Sequence, residues 1–173
     1  MARTKLNLQA YQQDILARLK SLTESGHAPL SSKLGVRIGG TDWLVSLADI
    51  SEVLPVPEIM PVPLTHPWFI GMANVRGNLY ALTDLAGFLA YPQTVVTSES
   101  RVLLAHNQFG VNAGLLVDRL LGLRNLEDMQ LHDNSGDKPA WQLERYKDVD
   151  GQIWDELDIG VLLAQNEFMQ VAA

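Results

Sequence analysis

At 173 residues, with 13 Lys and Arg against 20 Asp and Glu, the chain carries a formal charge of −7 and a pI near 4.9. That balance argues against nucleic acid, which needs a basic face, and the absence of cysteine rules out disulfides and thiolate metal sites. The length suits one domain or two small ones burying roughly 70% of the unfolded surface. With no basic-then-apolar leader and no apolar run near ~18 residues, the expectation is a soluble cytoplasmic protein without direct membrane insertion.

Residues 4 to 22 carry Leu8, Tyr11, Ile15, Leu19 and Leu22 at three- and four-residue intervals. This is the stripe of an amphipathic helix. It suits packing onto its own domain, or docking a partner or pairing with itself; a membrane-surface helix fits least, because the polar face is not consistently basic. Small, polar and breaker residues from Thr23 to Lys33 make a linker. The division is therefore an extension over 1–33 and a domain over 34–173.

Strands follow at Gly35 to Ile38 and Trp43 to Leu47, flanking a turn at Gly39-Gly40-Thr41-Asp42. Asp49 to Leu54 reads as a short turn or helix. Pro55, Pro57, Pro61, Pro63 and Pro67 then forbid a continuous helix or central strand, leaving an extended connection with a short edge strand around Ile59. Next comes Asn74-Val75-Arg76-Gly77-Asn78-Leu79-Tyr80, two strands joined at Arg76-Gly77, with Gly77 supplying a positive φ and Asp84 capping a helix that closes at Tyr91-Pro92. The second half opens with strands at Arg101 to His106 and Val111 to Val117. Asp118 to Leu126 leaves as Ile50 leaves its strand, and Glu127 to Ala140 is a loop. Trp141 to Tyr146 and Gly151 to Glu156 form a last hairpin, and Leu157 to Phe168 a closing helix.

The two halves are related. Val75-Arg76-Gly77-Asn78-Leu79-Tyr80 answers to Val149-Asp150-Gly151-Gln152-Ile153-Trp154, and in both an Asp follows the Gly by seven residues. Leu47-Ala48-Asp49-Ile50 answers likewise to Leu116-Val117-Asp118-Arg119. One long repeat, about 34–92 and about 95–168, gives two related units rather than a solenoid. Short strands at turn-limited spacing make them mainly β: two five-stranded barrels with short helices, exchange of strands between them being left open. Gly and Asp recur, so the fold requires them. Position 76 is Arg in one copy and Asp in the other, so Arg76 is a candidate for work outside the fold, against a solvated turn charge that does nothing.

No catalytic constellation emerges. His27, His66, His106 and His132 are scattered, none at metal-ligand spacing from another, and His66 before Pro67 reads as a solvated turn residue. There is no phosphate loop, no Gly-x-Ser-x-Gly elbow and no Cys nucleophile. Asp155 and Glu156 alternate faces on a strand and do not converge. Asp148 and Asp150 share a face but flank a turn already explained. Cofactors are expected to be none. What remains is apolar content around the prolines: Ile50, Val53, Leu54, Val56, Ile59, Met60 and Val62, either a partner surface or a plug between the units.

The run from Pro67 to Leu85, with Ala73-Asn74-Val75-Arg76-Gly77 and Asp84-Leu85, resembles the CheW-like coupling domain of bacterial chemosensory systems, as does Val111-Asn112-Ala113-Gly114-Leu115-Leu116-Val117-Asp118-Arg119-Leu120. The wording around Asn74 is most similar to the type IV pilus, twitching-motility branch of that family. Ala81, where the family usually has Pro, and Thr83, where it is usually apolar, depart from the pattern. The resemblance implies two SH3-like barrels about a pseudo-twofold and no enzyme activity. It implies a scaffold joining the regulatory domain of a CheA-like histidine kinase to the cytoplasmic tip of a methyl-accepting chemoreceptor, recruited to membrane-bound receptor arrays. It carries receptor contact onto Asn74, Val75, Arg76 and Gly77, and kinase contact onto Ile50, Ser51, Glu52, Val53 and Leu54. The alternative is a small-molecule-binding sensory barrel, which needs a concave apolar pocket.

Overall fold

The computed structural model describes residues 13–17 and 32–173, and the chain divides into two units, Met1–Leu30 and Ser31–Ala173. Residues 13–17 are helical; the rest of the amphipathic helix expected over 4 to 22 lies outside the described residues, as does most of the linker. In the second unit the order is β1 (Ser32–Ile38), β2 (Thr41–Ser46), β3 (Ile50–Pro55), β4 (Phe69–Val75), β5 (Asn78–Asp84), α1 (Leu85–Phe88), β6 (Arg101–Ala105), β7 (Ala113–Val117), β8 (Arg119–Asn125), β9 (Gln130–His132), β10 (Gln142–Lys147), β11 (Ile153–Leu157), α2 (Ile159–Leu163) and α3 (Asn166–Met169).

The strands form two mixed sheets, β8-β1-β2-β11-β10-β9 and β3-β6-β7-β5-β4. Apart from β9 the orders correspond strand for strand: a hairpin at the centre (β1-β2 or β6-β7), flanked by an antiparallel edge strand and a parallel neighbour. Each sheet therefore draws strands from both halves of the chain. The architecture is mainly β and SH3-like, but neither sheet is closed by a hydrogen-bonded seam.

Local chemistry explains the shared points. Gly77 and Gly151 sit at φ 86° and 82° in equivalent hairpin turns, a region side chains avoid. Asp158 caps α2, its Oδ1 accepting the Val161 amide at 2.9 Å. Asp84 does not cap α1 as expected: its carboxylate accepts the Thr94 amide at 2.9 Å and hydroxyl at 2.7 Å, tying the connection between the halves to the end of β5. Gly114 is a packing glycine, since a Cβ there would stand 2.4 Å from Leu82 Cδ2 and 2.9 Å from Val102 Cγ1. Those two residues belong, with Ala73, Leu104 and Leu116, to the core under the five-stranded sheet.

Four expectations need correction. Ile50 to Leu54 and Arg119 to Asn125 are strands, not turns or helices; 3-10 turns flank them only at Leu47–Asp49 before β3 and Leu126–Asp128 after β8. A bulge between Ile50 and Glu52 puts the buried Ile50 and Val53 three residues apart, a spacing that mimics a helix. The 127 to 140 loop contains β9, whose exposed residues carry no alternation to read. The closing helix breaks at Ala164-Gln165, freeing Phe168 to turn into an aromatic group with Trp68 and Phe88. His66 is half-buried and stacks on Trp68 at 5.3 Å rather than standing in solvent.

Candidate functional site

β3 and β4 are the two edges of the five-stranded sheet. The connection between them is an extended strap, pinned to β4 where the Met60 amide donates to Met72 O at 2.7 Å and the Met72 amide donates back at 2.9 Å. Gly71 makes this possible. Its φ is 135°, and a Cβ there would lie 2.3 Å from the Met60 carbonyl oxygen. Beyond Met72 the strand reaches the turn at Arg76-Gly77. Arg76 has φ 52° and Gly77 follows at 86°, the left-handed pair of a tight hairpin. Asn74 supports the turn, its Oδ1 accepting the Gly77 amide at 2.9 Å.

This turn aims Arg76 at β3. Its Nη1 and Nη2 both donate to Glu52, to Oε2 and Oε1 at 2.5 Å each, a bidentate pair that joins the two edges. The pair is a surface feature: the Arg76 side chain is 72% exposed and that of Glu52 31%. Hydrogen bonding to Glu52 holds the Arg76 guanidinium above its already high ordinary value. The residues expected at two separate surfaces thus meet. Around them Ser51, Asn74, Gly77 and Leu79 are exposed, with Leu54 and Val75 half-buried.

Two of the residues expected at a kinase contact face the other way. Ile50 and Val53 are 6% and 7% exposed and belong to the core, so neither presents a side chain to a partner. Leu54 at the end of β3 and, in the strap, Val56 and Ile59 pack against the core cluster, whereas Met60 and Val62 stand exposed, joined by Leu64. Leu64 escaped the sequence reading, because an isolated apolar residue among prolines carries no periodicity.

Elsewhere several charged groups pair with neighbours. Arg37 pairs across a hairpin with Asp42 at 2.8 Å, Arg145 with Asp155 at 2.6 Å, and Lys33 with Glu156 at 2.9 Å. Asp148 accepts from the indole of Trp154 and from the amides of Asp150 and Gln152, anchoring its turn. Burial would raise its carboxyl, but these hydrogen bonds outweigh that and hold it below the usual range. Burial first, then the charge of Asp158, pushes Asp49 above its ordinary range, against Lys33 and His106. Among the described residues no three His, Cys, Asp or Glu converge as metal ligands, and no helix is long and apolar enough to cross a membrane.

Two interleaved SH3-like sheets, with an Asn-Val-Arg-Gly hairpin closing the edge of one, agree with a match to the CheW-like domain over residues 33–167; the chain belongs to the CheW-like family. Protein PilI of Pseudomonas aeruginosa is 35% identical over 94 residues, covering 54% of this chain and 52% of that protein, so the match spans about half the length of this relative. Chemotaxis protein CheW of Thermotoga maritima is 28% identical over 118 residues, 68% of this chain and 77% of that protein. The crystal structure of the scaffolding protein TtCheW from Thermoanaerobacter tengcongensis superposes with a TM-score of 0.67 at 18% identity, covering 80% of this chain and 95% of that one, a likeness of fold.

Proposed function

We propose that the chain is a non-enzymatic scaffold coupling a chemoreceptor to a CheA-like histidine kinase, in a chemosensory system that controls type IV pilus motility. The reading rests on membership in the CheW-like family over residues 33–167, and the similarity to PilI supports the pilus assignment. The accessible edge of β3, through Ser51, Glu52 and Leu54, takes the regulatory domain of the kinase. The β4–β5 turn, through Asn74, Val75, Arg76 and Gly77, takes the cytoplasmic tip of the receptor. No group on this chain is asked to perform chemistry: signal passes as a shift in the populations of the partners. An Arg moved from solvent into the centre of a desolvated contact gains an order of magnitude or more in affinity, about tenfold for each 1.4 kcal/mol.

The deciding experiment is a calorimetric titration of the full chain into the regulatory domain of the CheA-like kinase from the same organism. Micromolar or tighter binding is expected, weakened by Glu52→Arg, with receptor-tip binding weakened instead by Arg76→Ala. No heat and no co-elution at tens of micromolar would overturn the scaffold reading, and ligand-induced melting shifts would then bring the small-molecule barrel forward.

A further inference from the structure

Between Asn166 and Ala173 a single side chain is buried, that of Phe168. Its ring meets Phe88 edge to face at 5.2 Å and Trp68 at 6.2 Å, and Trp68 in turn stacks on His66. Past Phe168 the chain runs extended beside residues 64–66. Ala172 bridges Thr65, Val171 O accepts the His66 amide at 2.9 Å, and the Ala173 amide donates to Leu64 O at 3.0 Å. Asn166, Glu167, Met169 and Gln170 face solvent. One aromatic anchor followed by a short main-chain ladder is how edge-binding peptides are held: backbone pairing supplies register, and a pocket supplies selectivity.

We propose that Trp68, Phe88 and His66, with the main chain of 64–66, form a peptide-binding slot. It is filled in cis by residues 166–173 and takes in trans a peptide of one helical turn running into an extended stretch, with an aromatic residue three positions ahead of an aliphatic one, as Phe168 stands to Val171. The chemistry of the ligand follows from the contacts. Its aromatic ring packs against both Trp68 and Phe88, which touch each other edge to face at 5.2 Å, and its backbone completes the ladder with Leu64 and His66, so no charged group is needed. The resident segment competes at an effective concentration on the order of millimolar, because the break at Ala164-Gln165 tethers it closely. A free peptide therefore binds only in proportion to the fraction of time the slot is empty. The slot lies on the strap between β3 and β4 and does not depend on the scaffold reading.

The test uses the full chain with a protease site inserted between Gln165 and Asn166, and a fluorescent peptide of residues 166–173 as probe. Cleavage, which removes the tether, is expected to tighten peptide binding by at least about tenfold. The same peptide carrying Phe168→Ala is expected to bind about tenfold or more weakly. If the cut chain loses its fold, an uncut Phe168→Ala chain decides instead: its own tail lacks the anchor, so it should bind the probe about tenfold tighter than the unmodified chain. Unchanged affinity on cleavage in a folded chain, or on weakening the resident tail, would overturn the proposal.

Discussion

Gly71→Ala tests the strap where the structure is most constrained. A Cβ at position 71 would stand 2.3 Å from the Met60 carbonyl oxygen and 2.8 Å from its carbon, backbone atoms that cannot rotate away. The strap has to withdraw by about 1 Å to reach ordinary contact, which breaks the two Met60–Met72 hydrogen bonds. Those are worth about 0.5–1.5 kcal/mol each. Forcing a side chain into φ 135° adds about 1–3 kcal/mol of strain. The sum is about 2–6 kcal/mol, and at roughly 2–4 °C per kcal/mol for a domain of this size the melting temperature should fall by about 5–20 °C. Thermal melts by circular dichroism, with urea titrations for the free energy, measure it. Gly136→Ala serves as control, because a Cβ there meets nothing within 4 Å, and it should change stability by less than about 0.5 kcal/mol. A Gly71→Ala chain melting within ~1 °C of its parent would refute the reasoning, since it would mean that the strap yields freely.

Three further outcomes are expected. Val53→Asp puts an unpaired carboxylate into the core and should cost about 3–5 kcal/mol in a urea titration, so that any loss of partner binding reports unfolding and not a contact. Arg76→Ala should leave the melting temperature within about 2 °C of the parent, because the pair with Glu52 is exposed; Glu52→Arg alone should cost more than the charge swap Glu52→Arg with Arg76→Glu, and the difference should shrink in high salt. Asp49 has a raised folded-state value, so its contribution is present below the ordinary carboxylate range and lost as pH rises through the folded value. Asp49→Asn should therefore raise the melting temperature by about 1–3 °C at pH ~7 and give no gain near pH ~3, followed by melting across that range.

Much of the fold was legible because its turns are chemically marked. Gly77 and Gly151 are equivalent turn glycines, and the seven-residue step to Asp84 and Asp158 located the starts of α1 and α2. What each Asp does there was not legible. The Asp158 carboxylate caps a helix, whereas that of Asp84 turns to Thr94, ten residues on in a stretch without periodicity. Strands β3 and β8 were hidden by bulges, at Ser51 and at Leu121 before Gly122, whose extra residue breaks the two-residue alternation on which strand reading rests. Of the candidate site, Arg76 was visible through comparison of the repeats. Its pairing with Glu52 was not, because nothing local to either residue specifies a contact across 24 positions of sequence. In sequence, Ile50 and Val53 suit a partner surface and a plug between the units alike; a bulged strand turns both inward.

The interleaving of the sheets bears on how the chain comes off the ribosome. β2 lies beside β11, Trp43 opposite Asp155, and β5 lies beside β7. The first half therefore emerges with both β2 and β5 lacking their parallel neighbours, and neither sheet can be finished from that half alone. Closing such non-local pairs requires loop entropy to be spent before the contacts repay it, which slows folding and leaves nascent strands exposed to wrong pairings. β11 seals the hairpin of β1 and β2, so the six-stranded sheet waits on a strand made more than a hundred residues later.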